Sequence, residues 1–206
     1  MNAFNCLLAI IIIAVVIMGI VSSSKKRALF DQLQHLLSLE RFDDFFELID
    51  SKQAELVFPE YNRQYFKLNA YLMQGDTEQA NQMLEHLLSL KSSKAQRRDL
   101  VLKAFNIYMA QENAERGQAM LHEIEGWDEP QYEQIKIDSR RLFDISMHDS
   151  TAYIEDMERE RTSADAARKS QLDLMLAMQY GTLGNHEKRD EYLSLADKDA
   201  QEMTSK

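Results

Sequence analysis

Proline and glycine are scarce, 2 and 6 among 206 residues. A chain so poor in both has too few turn formers for the tight connections of an all-β fold. Cysteine occurs once, at Cys6, which excludes an internal disulfide framework and a cysteine-based zinc site. Basic residues are outnumbered: 24 Lys and Arg face 34 Asp and Glu, for a formal net charge of −10. Such a chain suits nucleic-acid phosphates poorly, because those contacts need clustered Lys and Arg. A glycine-rich phosphate loop and a G-x-S-x-G elbow are both missing. No two of His35, His86, His122, His148 and His186 bracket a glutamate at the four-residue spacing of a helical metalloprotease site. Paired acids such as Asp43-Asp44, and the run YIEDMERERTSAD, have the alternating charge of a solvated helix face. With no catalytic constellation in sight, the sequence predicts a protein that is not an enzyme and uses no cofactor and no metal.

What is present begins with one long apolar run. Ala3 to Val21, AFNCLLAIIIIAVVIMGIV, carries no charge. As a helix it would extend about 28 Å, close to the roughly 30 Å hydrocarbon core of a bilayer. No Lys or Arg precedes it, unlike a secretory signal, although Val21-Ser22-Ser23 has the small residues of a cleavage site. Cys6 lies before the run, where a lipoprotein signal would place its cysteine after it. The expectation is an uncleaved transmembrane anchor over residues 1–22 and a basic joint over 23–27. Lys25, Lys26 and Arg27 in that joint put the rest of the chain in the cytoplasm by the positive-inside rule. The reverse, extracytoplasmic topology is the alternative.

The remainder is periodic. Glu40, Gly75, Glu112, His148 and Gly184 mark five bends spaced 35, 37, 36 and 36 residues apart. The residues one further on are Arg41, Asp76, Asn113, Asp149 and Asn185, four of them favoured helix N-caps. Nine residues on stand Ile49, Leu84, Leu121, Met157 and Leu193, all apolar. Between them runs a one-sided stripe, as in Ala80, Met83, Leu84, Leu87 and Leu88, the spacing of a helix with one face on a core. Each bend therefore starts the second helix of a hairpin, and a period of this length means stacked units.

Tyr71, Tyr108 and Tyr180 stand four residues before their bends, and Ala80 and Gly117 stand five after theirs. Two-helix units of about 36 residues with those features resemble the tetratricopeptide repeat. Leu36 and Asp144 depart at the tyrosine position, and Phe45, Tyr153 and Arg189 depart at the small one. Seven before the bend, where the family has a small residue, only Ala177 fits; Leu33, Leu68, Phe105 and Arg141 do not. The resemblance implies a right-handed α-solenoid of about five such hairpins over residues 28–200; with the expected N-terminal transmembrane helix before it and a polar tail at 201–206, the expected chain is all-α.

It also implies a ligand face. In this family the first helices line a concave groove, at positions 10, 9, 6 and 3 before each bend. Those positions hold Phe30 in copy one, Tyr65, Phe66, Asn69 and Leu72 in copy two, and Leu102, Lys103, Asn106 and Met109 in copy three. Copy five adds Leu174, Met175 and Met178. Such a groove suits apolar or amphipathic protein segments, with Asn69 and Asn106 offering both donor and acceptor to a backbone. Phe30 and Tyr65 stand where a clamp for a terminal carboxylate would need basic residues. The functional expectation is a single-pass, membrane-tethered adaptor or scaffold that binds protein partners without chemistry. An exported chaperone-like scaffold and a homo-oligomeric membrane scaffold are the alternatives.

Overall fold

A computed structural model describes residues 24–204, and all of its regular structure is helical. The expected span over residues 1–22 lies outside the described residues, among which no helix is long and apolar enough to cross a membrane. The expected joint is helical from residue 24, continuous with α1 (24–38). Ten more α-helices follow. They are α2 (Phe42–Ile49), α3 (Lys52–Val57), α4 (Glu60–Gln74), α5 (Thr77–Ser89) and α6 (Lys94–Ala110). The rest are α7 (Ala114–Glu125), α8 (Glu133–His148), α9 (Ile154–Arg161), α10 (Ala166–Thr182) and α11 (His186–Thr204), which runs on into the expected polar tail. Within each unit, hairpin partners such as α4 and α5, α6 and α7, and α10 and α11 pack as antiparallel neighbours. The chain divides into two compact units, one ending at Ser93 and one starting at Lys94.

The bends explain the period. The positive-φ residues are Glu40, Gly75, Glu112, Asp149 and Gly184, spaced 35, 37, 37 and 35 apart. Four of these are the positions marked from the sequence; in the fourth copy the left-handed residue is Asp149 rather than His148. At four bends the following amide donates to a carbonyl five residues back: Arg41 to Leu36, Asp76 to Tyr71, Asn113 to Tyr108 and Asn185 to Tyr180. This is the Schellman closure, which satisfies carbonyls orphaned at a helix end. Gly75 and Gly184 take the left-handed conformation without a Cβ penalty. Asp76, Asn113 and Asn185 then cap the next helix, each carboxylate or amide oxygen accepting from the backbone N–H three residues on, at 3.0, 3.1 and 3.1 Å.

Copy four corrects the sequence reading. Asp149 caps nothing ahead of it, and α9 begins only at Ile154. The buried Gln179 provides for that start instead: its Oε1 accepts the Tyr153 N–H at 3.1 Å. Two departures from the repeat also answer each other here. Asp144 sits where a tyrosine is expected and Tyr153 where a small residue is; the Tyr153 hydroxyl donates to Asp144 Oδ2 at 2.6 Å.

In the first unit one core cluster is Leu29, Leu33, Leu36, Phe45, Ile49, Ala54, Phe58 and Ala70, contributed by α1 to α4 and the turn between α3 and α4. In the second unit α6, α7 and α10 supply most of the buried side chains, with Leu100, Leu121, Ile124, Leu172 and Leu176 fully enclosed.

A polar cluster ties α6 to the turn before α8. Arg98 pairs with Glu129, lies over the Tyr132 ring at 4.4 Å and borders the buried Trp127. Lys94 Nζ donates to Glu129 Oε1 at 2.7 Å. The Arg98 hydrogen bond, and then that from Lys94, hold the Glu129 carboxyl down from 4.5 to about 2, with burial opposing. A carboxyl depressed in the folded state contributes stability above its unfolded pKa and loses it as pH falls through the folded one. The tie is therefore whole above pH 4.5 and gone below about 2. Fluorescence of Trp127, the one tryptophan, is expected to report loosening across that window. Glu129→Gln is expected to flatten the response; an unchanged pH profile in the variant would contradict the assignment.

Candidate functional site

In the second unit the first helices of copies three, four and five are α6, α8 and α10. Each offers its residues 10 and 6 before the bend on one face, since four residues is close to one helical turn. These rows are Leu102 and Asn106 on α6, Asp138 and Leu142 on α8, and Leu174 and Met178 on α10. All six line one cavity of about 550 Å³, within the range of ligand sites. Its enclosed walls include Phe105, Ser139 and Met175, which are buried. The mouth is unusually apolar: Leu174 is 49 % exposed, Met178 41 % and Leu193 of α11 42 %. Leu193 is also out of step with its repeat partners, because Ile49, Leu84, Leu121 and Met157 are each 0 % exposed.

Charge at the wall is neutralised internally. Arg168 grips Asp138 through Nη1 and Nη2, at 2.6 and 2.8 Å, while its Nε donates to Glu160 and Nη1 also to Gln171 Oε1. Arg141 donates to the same Glu160 at 2.9 Å. Burial pushes the Glu160 carboxyl up, but Arg141 and Arg168 outweigh it and leave the group below its ordinary value. A bidentate arginine fixes Asp138 in place, so the wall beneath the apolar mouth is rigid and its carboxylate already occupied. Among the described residues no group of three His, Cys, Asp or Glu side chains is placed to hold a metal ion. The cavity can therefore offer shape, apolar contact and the amides of Asn106 and Gln171.

Leu102, Asn106, Met175 and Met178 are brought together here, as the register places them. Lys103 is half-buried and is not part of the lining. Met109 does not reach the cavity: it is 7 % exposed, and its Sδ fills the space beside Gly117. In the first unit Phe66 is largely packing material, with its ring 5.7 Å from Phe30 and edge-on to Phe58 at 5.5 Å. Tyr65 stacks with Tyr61 at 6.1 Å, and Asn69 is half-buried. The sequence reading passed over Asp138, Ser139 and Leu142. The signal for them existed, since they stand 10, 9 and 6 before the fourth bend.

Comparison of this chain with protein-family models, with curated proteins and with solved structures finds no match.

Proposed function

We propose that this chain is a membrane-tethered adaptor, an anchor at residues 1–22 followed by tetratricopeptide-like hairpins in a right-handed stack. Its role is to bind a segment of a partner protein without chemistry. The observation that carries the reading is the cavity of the second unit: eight of its lining residues stand 10, 9 or 6 before a bend in three successive copies. Structural packing alone would bury those positions; here Leu174 and Met178 stay about half exposed around an apolar hollow. Stacked repeats use such surfaces for binding, and exposed apolar patches mark interaction sites. The anchor would confine the adaptor to one membrane and raise its effective concentration near membrane-bound partners. Lys25, Lys26 and Arg27 favour a cytoplasmic face.

The test is photo-crosslinking in native membranes from a probe at Asn106, with a control probe at the exposed His122 on α7. An adduct from 106 and none from 122 is the expected result. Adducts only with further copies of this chain would favour a homo-oligomeric scaffold, and adducts from 122 alone would overturn the reading.

A further inference from the structure

We propose that the segment held in the second unit's cavity is an amphipathic helix whose apolar face is bordered by Lys and Arg, an inference that rests on the adaptor reading above. Size is the first argument. A hollow of about 550 Å³ admits a few apolar side chains. One short linear segment supplies that number of anchors. Its run across three neighbouring first helices, at roughly 9 Å per helix spacing, would cover about 18 Å, or about twelve helical residues. Apolar anchors at i, i+3, i+4 and i+7 are how such a helix fills a groove.

Charge is the second argument, and it comes from α11. Around Leu193 that helix exposes Glu187, Asp190, Glu191 and Asp197, against the single exposed base Lys198. Asp190 and Asp197 lie one turn before and one turn after Leu193, on its own face. Arg189 donates to Asp190 at 2.8 Å and offsets part of its charge, so Asp197 is the stronger of the two acids on that face. A bordering row of cations on the occupant would meet these acids, whereas acids would be repelled. Lys103 is the one cation on the α6 face beside the lining, and it is half-buried. Leu193 supplies the apolar edge that its four repeat counterparts have lost to their cores, so α11 acts as the acidic lip of the site.

The probes are two synthetic helices of about fourteen residues, one of Leu and Lys and one of Leu and Glu, with the same apolar face. The full chain is held in nanodiscs of neutral phosphatidylcholine, and binding is read from the methyl resonances of Met175 and Met178. The expected result is saturable shifts with the Leu/Lys helix and at least about tenfold weaker binding of the Leu/Glu helix, about 1.4 kcal/mol. The charge-reversed variant Asp190→Lys with Asp197→Lys should lose the preference. Leu174→Gln with Met178→Gln, both at exposed positions, should lose binding of the Leu/Lys helix. Equal binding of both helices would overturn the charge assignment and leave the cavity as a segment site. Shifts with neither helix would overturn the cavity reading itself. Shifts produced by raising the concentration of the chain alone would make a second copy the occupant and overturn the proposal.

Discussion

Arg161→Met is expected to destabilise the unit that begins at Lys94 by about 3–5 kcal/mol. The reason is Asp173, a carboxylate with no exposure in the middle of α10. Both of its oxygens accept from Arg161, one at 3.0 Å and one at a closer contact. Arg161 ends α9, so the pair ties that helix to α10, and its guanidinium also comes within 3.9 Å of Asp199 on α11. Removing the arginine strands a buried charge, and that penalty exceeds what the intact pair gains over an apolar replacement. The double variant Arg161→Met with Asp173→Leu should therefore recover most of the loss. Urea unfolding followed by Trp127 reads this unit, because Trp127 lies within it. With a slope of roughly 2 kcal/mol/M, the single variant's midpoint should fall by about 1.5–2.5 M. A double variant as unstable as the single one would contradict the account.

Phe143→Ala should cost a similar amount, about 3–5 kcal/mol. The ring is 2 % exposed and lies against Gly117, where an added Cβ would meet Phe143 Cε2 at 3.4 Å and Met109 Sδ at 3.2 Å. The glycine is thus the space into which copy three's methionine and copy four's phenylalanine fit. Truncating Phe143 opens a cavity beside it that the two packed helices can only partly close. Gly117→Leu in the native background overfills the same place and should destabilise by about 1–3 kcal/mol. Combined with Phe143→Ala, the same leucine should restore stability. Simple additivity of the two losses, by the same Trp127 readout, would show that the two sites do not share a space.

That contact shows what was legible in the sequence. The stripe Ala80, Leu84 and Leu87 was readable because a single-faced helix keeps the 3.6-residue period, and all three are buried. The bends were readable because αL closure selects glycine, or a polar residue that tolerates it, at a fixed distance from a capping Asp or Asn. Copy four was misplaced because its solution is tertiary: Gln179 reaches from α10 to the start of α9, and Tyr153 exchanges places with the missing tyrosine through Asp144. A periodic scan sees two errors where the fold has one compensated pair. The same trade of volume occurs twice more. Gly117 at the small position faces the large Met109, whereas Arg189 at that position faces Gly181, its Cδ 3.6 Å from where a Cβ would be.

The candidate site was legible to the extent that it follows the register. Leu102, Asn106, Met175 and Met178 follow from the groove positions that the resemblance implies, and their place on a shared wall follows from equal register on α6 and α10. Met109 lies in the interior because Gly117 leaves room for its Sδ, 3.2 Å from where a Cβ would stand. Leu193 could not be read from its repeat position, because its four counterparts are buried and nothing in the spacing marks the exception. The pairing of Asp138 with Arg168 was equally hidden, since those two are 30 residues apart in sequence.

The central claim is that a partner segment covers the row 6 before the bend in three successive copies. Single cysteines at Asn106, Leu142 and Met178, in a Cys6→Ser background, can be labelled with a maleimide in native membranes and again in the purified full chain. A cysteine at the exposed Gln118 on α7 serves as the reference. The account predicts that all three cavity positions label several-fold more slowly in membranes than after purification, while position 118 labels equally in both. Equal rates at the three cavity positions in both preparations would contradict it.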